Sequence, residues 1–184
     1  MSVAIIEPTA TPPDDMLYER VDGKFVEKDV SAIAAWLAAR LYAILDLAGR
    51  AGSAGQAVNE MVFILDTKRD LRRRPDVAFV SASTWPLDRL PPWETDWPIV
   101  PELAVEIISP GNSMSKMMRK VAEYFRYGVS EVWLALPEER SVHCYSGPKS
   151  VRILDASDAL STPLIPGWSL TVANWLPELP VPST

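Results

Sequence analysis

The chain reads as a mixed α/β fold, a mixed β-sheet flanked by helices with a β-hairpin at its N-terminal end, on three observations. The runs LAVEIIS (103–109) and EVWLAL (131–136) are apolar on both alternating faces, the pattern of strands buried in the middle of a sheet. Two longer runs, from about 32 to 48 and from 113 to 127, carry helical patterning, and they alternate with strand-like segments as layered α/β folds require. Near the start, YERV and KFVE flank Asp22-Gly23, a dipeptide suited to the left-handed positions of a two-residue hairpin turn.

The elements follow in order. Residues 1–14, rich in Pro and Thr, are expected to form a flexible arm, and 15–184 a single domain, since 184 residues with 48% hydrophobic content can bury one good core. After the hairpin, Asp29 or Ser31 can cap a helix that runs to about Ala48, with Gly49 as its left-handed stop. This helix lies in the longest apolar stretch of the chain, but Arg40 and Asp46 would be costly in lipid, so it reads as a buried, alanine-rich helix and no membrane contact is expected. AVNEMVFIL (57–65) is expected to be one strand, TKRDLRRR (67–74) a basic turn, and DVAFV (76–80) its antiparallel partner. Ser81 to Pro101 holds three tryptophans and five prolines, too many breaks for a regular element, and reads as a loop able to flap over a site. The second helix is expected to bury Met114, Met117, Met118, Val121 and Phe125 and to end at Gly128. SVHCYS and KSVRIL are then expected to pair through Gly147-Pro148, with a last short strand near GWSLTV.

Charge and cysteine content narrow the chemistry. A net charge of −6 argues against a generally basic nucleic-acid coat, so any nucleic-acid contact must be local. The single cysteine, Cys144, allows no intrachain disulfide, and the first residues lack the basic and apolar regions of a leader, so a reducing cytoplasm is the expected setting. The single histidine, His143, cannot assemble a zinc cluster or a Ser/His/Asp triad, and GRAGSAG (49–55) lacks the lysine and spacing of a phosphate loop.

One residue breaks the apolar pattern. Glu106 lies inside LAVEIIS at an address that should be apolar, and a buried carboxylate without a partner costs several kcal/mol or protonates. It therefore needs a cation, a metal or strong donors, and Asp76 at the opening of an earlier strand makes a metal-binding pair conceivable.

The runs RRRPDVAFV, PELAVEIISP and KVAEYFRYGVSEVWLALPEERSVHCYS, with YERVDGKFVE before them and LIPGWSL after, resemble the Uma2 family of the PD-(D/E)XK restriction-endonuclease-like superfamily. The resemblance spans most of the chain and implies a restriction-endonuclease-like core. It also implies a Mg²⁺-dependent (or Mn²⁺-dependent) endonuclease acting on DNA, with Asp76 and Glu106 as metal ligands and Lys120 completing the catalytic set. In the wider superfamily the lysine stands two residues after the strand acid, where this chain has Ile108, so the charge must come from the helix. A helical step of about 100° per residue puts Lys120 at the border of the apolar stripe, within reach of the sheet edge, whereas Lys116 is the poorer substitute.

Glu60 matches an acidic position of the family, which implies a further metal ligand; an edge-strand glutamate facing solvent is the alternative. Glu19 matches as well, but a lone hairpin glutamate also reads as surface charge and stays outside the catalytic set. Lys68, Arg69, Arg72, Arg73 and Arg74 crowd the turn before Asp76, where contacts to a DNA backbone would bring a phosphate to the acids; a solvated hairpin tip is the alternative. Two functions therefore stand: the endonuclease, and a catalytically inactive nuclease-fold protein that binds nucleic acid or a protein partner, with a homodimer through the C-terminal strands and the Trp-rich segment.

Overall fold

A computed structural model describes residues 5–6, 17–28, 30–93, 96–109 and 113–179. The short strand β1 (Ile5–Ile6) pairs antiparallel with a later strand through Val26 and Phe25, and the rest of the N-terminal arm lies outside the described residues. The hairpin forms as its turn chemistry dictates: β2 (Tyr18–Val21) and β3 (Lys24–Glu27) pair antiparallel, with Asp22 at φ 50° and Gly23 at φ 77°.

Helix α1 (Ala32–Ala51) is capped by Ser31, whose hydroxyl accepts the Ala34 N–H; the other cap candidate, Asp29, lies outside the described residues. The helix does not stop at Gly49. It continues to Ala51 and is closed at Gly52, because Gly49 is needed for close approach: a Cβ there would lie 2.5 Å from the Phe79 ring and 2.8 Å from the Gly55 carbonyl. α1 is long and apolar enough to cross a membrane by length and composition alone, and its Leu37, Leu41 and Leu45 face packs onto the large sheet.

AVNEMVFIL is two strands rather than one. The chain turns at Glu60 (φ 51°), so β4 (Gly55–Asn59) joins one sheet and β5 (Phe63–Asp66) another, the latter pairing with β6 (Leu71–Arg73) across the basic turn. β4 pairs antiparallel with β7 (Val77–Ser81), the partnership expected from DVAFV, and β7 pairs antiparallel with β8 (Leu103–Ile107). Between them the Trp-rich segment has no regular element among its described residues. Trp97 is fully buried, stacked on Phe63 and met edge-on by Trp85, so the segment is pinned by its aromatics while Trp93 remains 98% exposed.

After helix α2 (Met114–Arg126), β9 (Glu131–Leu136) runs parallel to β8, and β10 (Ser141–Gly147) and β11 (Ser150–Leu154) extend the sheet antiparallel. A small two-stranded ribbon of β12 (Ala159–Leu160) and β13 (Leu170–Thr171) and a one-turn helix α3 (Val172–Trp175) close the described chain, with the Trp175 indole N–H donating to the Leu37 carbonyl. The large sheet has the order β11-β10-β9-β8-β7-β4, and the second sheet β1-β3-β2-β6-β5.

The two faces of the large sheet bury different clusters. Val77, Phe79, Leu103, Val105, Ile107 and Trp133 meet α1, whereas Ala78, Val80, Ala104, Val132 and Leu134 meet α2 and the β5–β6 hairpin. Strand alternation puts Glu106 with Ala104, and Asp76 with Ala78, on the α2 side. α2 buries Val121 and packs Met117 and Phe125 as the stripe predicts, but it is turned slightly from it: Met114 is 44% and Met118 36% exposed, while Lys120 and Tyr124 are buried. The ion pair and hydrogen bond that Lys120 and Tyr124 make on that face outweigh the burial of two flexible methionines.

Candidate active site

β7 and β8 pair Val77 with Val105, so the next step outward sets Asp76 opposite Glu106 on one face. Directly opposed residues of adjacent strands hold their Cβ atoms about 5 Å apart, and two opposed carboxylates repel each other unless cations intervene. Both side chains are 6% exposed. Two lysines supply the cations. Lys120 Nζ lies 2.8 Å from Glu106 Oε1 and 2.7 Å from Glu19 Oε1, and Lys28 Nζ lies 2.8 Å from Asp76 Oδ1 and 2.9 Å from Glu60 Oε2. Asp76 Oδ2 accepts the Ile107 N–H at 2.6 Å, and Tyr124 donates its hydroxyl to Glu106 Oε1 at 2.6 Å.

A second layer holds Lys120 in place. Glu19 on β2 accepts Arg73 Nη1 at 2.6 Å and the Arg74 N–H at 3.0 Å, and Arg73 is shared with Glu123 of α2. Glu19 thus belongs to the buried cluster and is not a surface charge. The hairpin sheet, α2 and the large sheet are joined at this point by charge rather than by apolar packing.

The two acids that share Lys120 respond to their surroundings in opposite directions. Burial pushes the Glu19 carboxyl up, but Lys120 and Arg73 outweigh it and hold it down at about 2. Burial raises the Glu106 carboxyl above its ordinary range; the carboxylates of Asp76 and Glu19 add to the rise, while Lys120 and Lys28 oppose it only in part. Glu60, partly open to solvent, is also raised by burial against the pull of Lys28. Burial lowers Lys28, yet Asp76, Glu106 and Glu60 together raise it above its ordinary value, so its ammonium is charged at any working pH. Buried beside Glu106 and Glu19, the Tyr124 phenol is raised well above 10 and acts as a donor.

The structure therefore brings Asp76, Glu106 and Lys120 together, with Glu60 joined to them through Lys28. Lys116 is exposed on α2. Lys28 is the residue that sequence reasoning missed: it follows a strand without any periodic signal, and its partners are distant in the chain. The basic turn is largely matched within the protein. Arg73 is buried, Arg72 pairs with Asp70 and Asp96, Arg69 pairs with Asp22, and Arg74 donates to the Tyr18 and Glu60 carbonyls. Lys68 and Arg69 are the exposed members. On the far side of the sheet, burial pushes the Cys144 thiol up to about 12, which makes it a poor nucleophile.

Residues 8–173 match the Uma2 family, described as "Putative restriction endonuclease". The chain belongs to that family. A crystal structure described as a putative nuclease belonging to DUF820, from Anabaena variabilis ATCC 29413, shares its fold with a TM-score of 0.75 at 18% identity, covering 90% of this chain and 94% of that one. No curated protein matches the chain.

The donor set around Asp76 and Glu106 decides its fit to a metal. Among the described residues no three His, Cys, Asp or Glu side chains form a ready metal cage. Two opposed carboxylates with hard oxygen donors nevertheless suit Mg²⁺ or Mn²⁺, because Mg²⁺ is commonly held by one or two carboxylates and keeps several waters. The Lys28 ammonium, against oxygens of both Asp76 and Glu60, is a cation already seated on this donor set.

Proposed function

We propose that this Uma2 protein is a Mg²⁺- or Mn²⁺-dependent endonuclease that hydrolyses DNA phosphodiester bonds, with Asp76 and Glu106 as the metal-holding pair and Lys120 as the catalytic lysine. The observation that carries the reading is the in-register pair of buried acids with Lys120 Nζ on Glu106. A bound divalent ion would polarise the scissile phosphate and lower the pKa of a water. Lys120, fixed by Glu19, offers a positive charge that can stabilise the developing phosphoryl oxygens or orient the attacking water. Its arrival from α2 answers the absence of a strand lysine at Ile108. Tyr124 keeps Glu106 oriented, and Arg73 keeps Glu19 ionised so that Lys120 remains anchored. Lys68 and Arg69, exposed at the tip of the basic turn, are the residues of that segment suited to backbone phosphates.

Purified protein is expected to nick supercoiled plasmid with Mg²⁺ or Mn²⁺ and not with EDTA, and Asp76→Ala and Glu106→Ala to remove the activity while retaining the fold by circular dichroism. Undiminished cleavage by either variant would sink the assignment.

A second reading is favoured by one observation: each member of the acid pair already has an ammonium partner, Lys28 on Asp76 and Lys120 on Glu106. On that reading the site is a structural charge cluster, and the chain is a nuclease-fold binder of nucleic acid or protein that cleaves nothing under any metal.

A further inference from the structure

Lys28 lies immediately after β3 and turns its ammonium inward, where its side chain is 9% exposed. It touches Asp76 Oδ1 at 2.8 Å and both Glu60 oxygens at 2.9 and 3.0 Å. Asp76 has committed Oδ2 to the Ile107 N–H, so Oδ1 is the oxygen through which it would hold a cation, and Lys28 is on it. A lysine charge and a divalent ion crowded onto one buried carboxylate oxygen repel strongly, since the interior screens them far less than water does. The two are competitors.

Glu60 offers the ammonium somewhere else to go. It sits at the end of β4 in a left-handed backbone conformation (φ 51°), its side chain is 24% exposed, and it grips Lys28 with both oxygens. The flexible lysine stem can carry its head outward with Glu60 still paired. The arrangement also explains how the cluster is stable without a divalent ion: Lys120 pairs with Glu106, and without Lys28 the buried Asp76 carboxylate beside it would have no counter-charge of its own.

We propose that Lys28 is a built-in cation that occupies the metal position at Asp76 in the metal-free protein, so that a divalent ion binds by exchange, displacing the ammonium from Asp76 while it stays paired with Glu60. The inference rests on the metal-site reading above. It makes Glu60 the anchor of the displaced lysine rather than a metal ligand. Exchange lowers the apparent metal affinity by the fraction of molecules in which Lys28 has withdrawn. The nuclease would then be silent at low free metal and switched on as metal rises.

The test is a calorimetric titration with Mn²⁺ of the wild type, Lys28→Met, and Lys28→Met combined with Glu106→Gln. Lys28→Met is expected to bind Mn²⁺ roughly tenfold or more tightly than the wild type, and to gain more in melting temperature from Mn²⁺. The added Glu106→Gln is expected to remove the binding. A folded Lys28→Met protein that binds Mn²⁺ no more tightly than the wild type overturns the exchange and leaves the metal site standing. Failure of both the wild type and Lys28→Met to bind Mn²⁺, or binding by Lys28→Met that the added Glu106→Gln leaves unchanged, overturns the metal-site reading and the exchange together. If Lys28→Met does not fold, ¹⁵N-lysine spectra of the wild type decide: the Lys28 ammonium resonance moves in step with Mg²⁺ saturation under exchange, and a resonance unmoved at saturating Mg²⁺ refutes it.

Discussion

Replacing Glu19 by glutamine removes the charge on which the second layer of the site depends. The native carboxylate accepts Lys120, Arg73 and the Arg74 N–H, and it is held at about 2 instead of 4.5. That depression corresponds to about 3 kcal/mol of folding stability. Because the folded value lies below the unfolded one, the stabilisation is fully present well above 4.5 and is lost as the pH falls from there through about 2. Glutamine keeps the shape but does not titrate, and it leaves two buried cations short of a counter-charge. Urea unfolding followed by tryptophan fluorescence should find Glu19→Gln less stable by about 3 kcal/mol or more at about pH 7, with the gap narrowing by about 2 kcal/mol at about pH 3. A gap that stays constant across this range would refute the argument, because the loss would then be one of shape rather than charge.

Three further outcomes follow from other parts of the structure. Glu106→Gln is expected to be more constant in stability than the wild type as the pH rises above 4.5, because a carboxyl raised by burial weakens folding as it ionises; the same urea series at rising pH checks it. Gly49→Ala should cost about 1 to 3 kcal/mol in thermal or urea unfolding, since the added methyl meets the Phe79 ring and the Gly55 carbonyl, neither of which has room to yield. If the basic turn contacts DNA, Lys68→Ala should reduce the slope of log affinity against log salt by about 0.9 in fluorescence anisotropy with duplex DNA, whereas an unchanged slope would assign the turn to the protein's own charge network.

Much of this fold was legible because local chemistry and tertiary demand agree. Asp22-Gly23 needed only its own backbone preference to make a hairpin, and the apolar strands around Glu106 could be buried nowhere but in the middle of a sheet. The parts that were not legible depend on contacts distant in sequence. Gly49 looked like a helix stop, yet its glycine serves the approach of Phe79, thirty positions on. AVNEMVFIL had the composition of one strand and was divided by a left-handed Glu60, a conformation that glutamate does not advertise. The expected stripe of α2 held for Val121, Met117 and Phe125 but not for Met114 and Met118, because hydrophobicity alone could not anticipate the carboxylates waiting for Lys120 and the Tyr124 hydroxyl. At the site, Glu106 was visible as an acid in an apolar strand, and Lys120 through a family resemblance. Lys28 had no such signal, since nothing in its spacing joins it to an aspartate 48 positions later.

In the proposed site Asp76 and Glu106 hold a divalent ion between them. A crystal of the protein soaked in Mn²⁺ and measured for anomalous scattering tests it directly. A peak is expected at about 2.0 to 2.6 Å from a carboxylate oxygen of each residue, with the Lys28 ammonium moved off Asp76. A map with no peak at saturating Mn²⁺, or one whose only peaks lie away from this pair, would contradict it.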